Sequence, residues 1–80
     1  MRRVILPGWY RHFKGNIYHV IAPNARHSET GELMVVYRSY PDGVLYVRPY
    51  DMFASKVDRE KYPDAMQDWR FEQIPDGGEV

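Results

Sequence analysis

Eighty residues without a cysteine leave room for one compact domain held by packing alone, and exclude disulfides, a thiolate metal cage and a cysteine nucleophile. Hydrophobic residues make up 44% of the chain and aromatic ones 15%, which supplies a core and excludes a disordered chain. Eleven basic residues balance eleven acidic ones, so no global field draws the molecule onto duplex DNA or an anionic membrane, and such binding needs a local patch.

Met1-Arg2-Arg3 precedes an apolar run of only Val4 to Leu6, too short for a signal-peptide core or a membrane span. The expectation is a cytoplasmic protein in which residues 1–8 are an N-terminal extension. Strand-like segments then alternate with Gly, Pro and Asp clusters, the pattern of a small barrel or sandwich. The first two run Trp9 to Phe13 and Ile17 to Ala22. A two-residue Gly15-Asn16 turn between them, with Gly at the positive-φ position, pairs Phe13 with Tyr18, His12 with His19 and Arg11 with Val20. Alternation then puts Trp9, Phe13, Tyr18, Val20 and Ala22 on the core face, and Tyr10, His12, His19 and Ile21 on the other.

Pro23 to Gly31 reads as a polar loop, a common place for function. Strands three and four run Glu32 to Tyr40 and Val44 to Pro49, joined by the turn Pro41-Asp42-Gly43. A three-residue loop sets Tyr40 opposite Val44, Tyr37 by Val47 and Arg38 by Tyr46. The inward face is then Leu33, Val35, Tyr37, Leu45 and Val47, and the predicted core is Phe13, Tyr18, Val20, Val35, Tyr37, Leu45 and Val47.

Asp51 is placed to cap a short helix over Met52 to Val57, whose Met52, Phe53 and Val57 form a stripe that plugs one end of the sheet. Residues 58–68 read as a polar turn or loop, Trp69 to Ile74 as a fifth strand, and 75–80 as a flexible tail. One domain therefore spans residues 9–74.

Tyr10-Arg11-His12-Phe13-Lys14-Gly15, His27-Ser28-Glu29-Thr30, Val35-Val36-Tyr37, Val47-Arg48-Pro49, Met52-Phe53 and Arg70-Phe71 occur in that order. Together they resemble a family of short bacterial proteins classed as a domain of unknown function, over roughly residues 8–74. The resemblance implies a compact β-rich domain, SH3-like in form, and implies no activity. The expected architecture is thus all-β, a five-stranded SH3-like small barrel with a short helix after strand four.

Three constellations carry possible chemistry. His27-Ser28-Glu29 has the residue types of a nucleophilic triad, but consecutive residues point in alternating directions, and shaping the turn into strand three is the simpler role. His12 and His19, as cross-strand neighbours, offer two imidazoles to a metal with no fixed third ligand, so an exposed pair without metal is expected. Arg38, Tyr40, Tyr46 and Arg48 share an outer face, where Arg and Tyr together suit an anion that carries a planar group. Cross-strand Arg and Tyr pairs also stabilise an ordinary exposed sheet. Pro49 holds Arg48 extended, as an anion clamp or in a salt bridge to Glu29 or Asp51.

The resulting expectation is a binding module for a ligand or macromolecule, with nucleotide or single-stranded nucleic acid the class these residues suit. Arg38, Tyr46 and Arg48 carry it, with Tyr10, His12 and His27 as a second rim; no cofactor and no membrane are expected. A small hydrolase or enzyme accessory using His27, Ser28 and Glu29, and a structural subunit forming a homodimer, are the alternatives. A monomer or weak homodimer is the expected state.

Overall fold

A computed structural model describes residues 3–75. The elements are β1 (Gly8–His12), β2 (Ile17–Arg26), β3 (Leu33–Tyr40), β4 (Leu45–Pro49), the single-turn helix α1 (Tyr50–Phe53) and β5 (Phe71–Gln73). They form one antiparallel sheet in the order β4-β3-β2-β1-β5. The expected closed barrel does not form, because the edge strands β4 and β5 are not hydrogen-bonded to each other. The sheet is nevertheless strongly curled. Tyr37 on β3 and Phe71 on β5 lie three strand steps apart, roughly 14 Å in a flat sheet. Their ring centroids are 5.7 Å apart.

The bend is built into β2. Its pairing with β3 slips between Val20 and Ala22 and again between Ala22 and Ala25, around Pro23, which has no N–H to give a ladder. The strand then continues to Arg26, so the predicted loop from Pro23 shrinks to a tight connection in which His27 N–H donates to the Glu32 carbonyl at 2.8 Å.

Both hairpin registers differ from expectation. His12 N–H donates to the Asn16 carbonyl and Gly15 N–H to the His12 carbonyl, enclosing Phe13, Lys14 and Gly15 with Gly15 at φ 103°. Gly15 therefore closes a three-residue loop with a bulge instead of opening a two-residue one. Tyr10 faces Tyr18 and Trp9 faces His19, an odd shift that exchanges the faces of β1. His12 pairs with Phe71 of β5, not with His19.

The β3–β4 loop holds four residues rather than three. Ser39 N–H donates to the Val44 carbonyl, and the Ser39 hydroxyl accepts from Val44 N–H at 3.1 Å, so Ser39 closes the turn. Tyr37 faces Tyr46, and Arg38 faces Leu45. This one-residue slip turns Tyr46 and Arg48 inward and sends Leu45 and Val47, expected in the core, outward to 64% and 60% exposure.

The core consists of Ile5, Tyr10, Val20, Val35, Tyr37, Tyr50, Phe53, Ala54 and Phe71, with Tyr18 and Leu33 packed against it. Phe53 lies flat on Phe71, centroids 4.0 Å apart and planes 6° from parallel. Phe13 is only half-buried, beside Tyr62 at 4.9 Å. Ile5, from the expected extension, is held by tyrosine hydroxyls: its N–H donates to Tyr50 Oη at 2.7 Å, which donates in turn to the Arg3 carbonyl. Tyr10 Oη binds both Leu6 N–H and the Leu6 carbonyl.

α1 is shorter than predicted and starts earlier, after Pro49, without a side-chain cap from Asp51. The Ser55 hydroxyl takes the Met52 carbonyl at 2.7 Å and ends the turn, and Lys56 pairs with Trp69. Phe53 points into the core while Met52 is exposed. Residues 58–68 form turns tied by Arg59, which meets Asp68 at 2.9 Å and donates to the Ala65 carbonyl. The tail expected over 75–80 lies, from residue 76, outside the described residues. Among the described residues no helix is long and apolar enough to cross a membrane.

Phe71→Ala is expected to lower unfolding stability by about 3–5 kcal/mol, the range for a buried aromatic. Phe13→Ala and Leu45→Ala are expected to cost far less. Urea unfolding of the three variants checks the core assignment, which fails if Phe13→Ala is the most damaging.

Candidate functional site

Toward the β1–β2 turn the inward face ends in a cluster of rings and cations, the mouth of the curled sheet. β1 brings His12, β2 Tyr18, β4 Tyr46 and Arg48, and β5 Phe71. The rings form a chain: His12 lies 6.3 Å from Tyr18, Tyr18 lies 6.3 Å from Tyr46, and Tyr46 stacks on Tyr37 at 5.7 Å. Tyr46 keeps 45% of its surface exposed at the lip. Arg48 Nε donates to Tyr37 Oη at 3.2 Å, and its guanidinium lies over the Phe71 ring at 5.6 Å. Arg70 Nε donates to Ser55 Oγ at 3.1 Å.

His12 sits edge-on to Phe71 at 4.8 Å and beside Phe13 at 4.6 Å. Burial, followed by the positive charges of Arg48, Arg70 and Lys14, pushes its pKa from 6.5 down to about 4. The imidazole is therefore uncharged at neutral pH. Lys14 N–H donates to its Nδ1 at 3.1 Å, which assigns the neutral ring's proton to Nε2. Burial and the nearby Tyr37 and Tyr46 push the Tyr18 hydroxyl pKa up, against the opposing pull of Arg48.

Among the described residues no ion pair offsets these charges. Among the described residues the ion pair is Arg59 with Asp68, and none involves Lys14, Arg48 or Arg70. Among the described residues Arg48 makes no salt bridge to Glu29. Beside the mouth, Phe13, Lys14, Lys61, Tyr62 and Pro63 line a groove of about 360 Å³. The Lys14 ammonium sits 5.2 Å from the Tyr62 ring.

The other face carries a separate groove of about 350 Å³, lined by Trp9, His19, Arg38, Ser39, Tyr40, Pro41 and Gly43. Trp9 meets His19 at 4.6 Å and Tyr40 at 5.6 Å, the latter pair nearly perpendicular. The predicted platform is thus divided. Arg38 and Tyr40 face outward, while Tyr46 and Arg48 face the mouth.

Tyr10 is 2% exposed and belongs to the core, not to a rim. His12 and His19 lie on opposite faces and cannot share a ligand. His27 is exposed at the far turn, where its Nδ1 accepts from Glu29 N–H and Thr30 N–H at 3.2 and 3.4 Å. Among the described residues Ser28 makes no hydrogen bond to it, so no triad assembles. Lys14, Arg70 and Trp9 were not anticipated as site residues. The sequence signal for the first two is a cation adjacent to an aromatic, in Phe13-Lys14 and Arg70-Phe71.

A family model described as Protein of unknown function (DUF1653) matches residues 8–73. No curated protein and no solved structure matches the chain.

The depressed His12 pKa makes stability depend on acid. The unfolded chain binds this proton near pH 6.5 and the folded one only near 4, so stability falls as pH drops through that window and then levels. Partial exposure of the ring reduces the effect to on the order of 1 kcal/mol. A His12→Asn variant should show a shallower loss between pH 6.5 and 4 than the parent. An NMR titration midpoint for His12 near 6.5 would contradict the burial assigned to it.

Proposed function

The chain belongs to the DUF1653 family, whose description carries no activity, and from the chemistry of the mouth we propose that it is a binding module for single-stranded nucleic acid, with a nucleotide as the smallest ligand unit. One observation carries this reading: the positive charges of Lys14, Arg48 and Arg70 all bear on His12, and among the described residues no carboxylate is in ion-pair contact with any of the three. A set of cations without counter-charge favours an anion beside it.

Rings at the same place suit the ligand's second half. Tyr46, half-exposed at the lip, offers a face on which a base can stack, and the groove of Phe13, Tyr62 and Pro63 beside Lys14 offers a second seat. Stacking tolerates any base, so the mouth suits a backbone-tracking reader rather than a sequence-specific one. The outer groove supports this reading less. Its cation is the single Arg38, and its two large rings stand nearly perpendicular, so they cannot sandwich one base.

Titration of labelled single-stranded RNA, single-stranded DNA and mononucleotides tests the reading. Tyr46→Ala should weaken binding by about 1–3 kcal/mol through lost stacking. Arg48→Ala should weaken it as well, and should flatten its salt dependence by about one phosphate contact. Arg38→Ala, on the other face, should leave it unchanged. Absence of binding by the parent protein at tens of micromolar, at low salt, refutes the reading.

A further inference from the structure

We propose that the groove beside the mouth is a seat for a guanine base, held in the corner of Phe13 and Tyr62 and read by the Asp64 carboxylate, which accepts from its N1–H and its 2-amino group. This rests on the reading of the mouth as a single-strand site and gives that site one position at which the identity of the base matters.

The groove, about 360 Å³, is lined by Phe13, Lys14, Lys61, Tyr62 and Asp64 among others, and it falls within the size of small-ligand clefts, roughly 300–1,000 Å³. It adjoins the mouth, because the Phe13 ring lies 4.6 Å from that of His12. Phe13 and Tyr62 stand 4.9 Å apart with planes at 62°, a corner in which a flat ring stacks on one wall and sets its edge to the other. Asp64 is held at this corner by its backbone. Ala65 N–H donates to the Tyr62 carbonyl at 3.2 Å, which closes a turn around Pro63 and Asp64. Both ends of the turn are tied down: Tyr62 N–H donates to the Asp58 carbonyl at 2.8 Å, and Arg59 Nη1 donates to the Ala65 carbonyl at 2.6 Å.

A seat for phosphate alone would carry lysines and no acid. The acid in this lining repels a phosphate, so its use lies with another part of the ligand. A carboxylate only accepts, and it does so with two oxygens side by side. Among the common bases guanine alone presents two adjacent donors on its pairing edge. Adenine and cytosine set a ring-nitrogen acceptor beside their amino group, and thymine and uracil flank one N–H with two carbonyls. Each of these turns at least one acceptor toward the carboxylate and leaves it unpaired. Lys14, whose ammonium lies 5.2 Å from the Tyr62 ring, and Lys61 supply the charge for the nucleotide's phosphate at the same groove. The mouth thus stacks any base, whereas the groove beside it selects one.

The probes are oligothymidylates with a single central guanine, hypoxanthine or adenine, three purines that differ chiefly on the edge that Asp64 would read. The parent protein should bind the guanine strand roughly three- to tenfold tighter than the hypoxanthine strand, which lacks the 2-amino group, and the adenine strand more weakly still. Asp64 is exposed on its turn, so Asp64→Ala removes the carboxylate without touching the core. The variant should bind the three strands alike and should bind plain oligothymidylate no less tightly than the parent does. Equal affinity of the parent for the three purine strands, or a guanine preference that survives Asp64→Ala, would overturn the proposal while leaving the binding function intact. A loss of oligothymidylate affinity in the variant as large as its loss for the guanine strand would overturn it too, since Asp64 would then act on the whole site and not on the base. No binding of any of these strands by the parent would overturn both readings.

Discussion

Phe71 and Phe53 lie face to face 4.0 Å apart, and that contact holds together the curl that the bulges of β2 begin. Phe53 belongs to a helix that follows β4 at one edge of the sheet, and Phe71 belongs to β5 at the other. Holding the two rings together brings opposite edges within side-chain reach although no ladder joins them. The remaining ring neighbours of Phe71 come from β1, β2 and β3: His12, Tyr18 and Tyr37. Phe53 covers a face of the ring, and the Arg48 guanidinium lies 5.6 Å from its centroid. The mouth thus gathers around a core contact, and among the described residues its cations are held by ring and hydroxyl contacts rather than by ion pairs.

That arrangement bears on whether the cluster is structural. A fold that needed Arg48 for stability would pair it with a carboxylate, and acidic residues equal basic ones in number, so partners were not scarce. Arg48 instead holds a tyrosine hydroxyl and an aromatic face, contacts that orient the guanidinium without neutralising it. Placing three positive charges around a half-buried imidazole also works against the folded state on acidification. Such a local conflict between stability and arrangement is what the proposed anion site would impose.

Element positions were largely legible in the sequence, since periodicity and the Gly and Pro punctuation locate strands. Strand faces were not. Alternation fixes which residues within one strand share a side, so Tyr46 and Arg48 remain neighbours in any register. Which side they share depends on loop length, and that was decided by details no pattern exposes: Gly15 at the end of its loop, and the Ser39 hydroxyl capturing Val44 N–H. The Arg38 contribution, read across strands, was lost with the register. Residues next in space only through the curl, above all Arg70, carry no mark of their role beyond an adjacent aromatic.

The same slip explains the outer surface. Turning Tyr46 and Arg48 inward requires Leu45 and Val47 to face out, on an edge strand whose free side has no partner within the sheet. An edge this apolar ordinarily invites pairing with another chain, and charged or bulged edges are the usual defence. β4 has little of that defence beyond its end at Pro49 and its short length of five residues. The apolar edge and the cationic mouth thus have one origin: a single four-residue turn at Tyr40 to Gly43 sets which side of β4 each set of side chains occupies. Changing that turn by one residue would bury Leu45 and Val47 and, in the same step, remove Tyr46 and Arg48 from the mouth. The stability of the edge and the function proposed for the mouth are therefore opposed through the register of this strand, and the structure has the register that keeps the mouth.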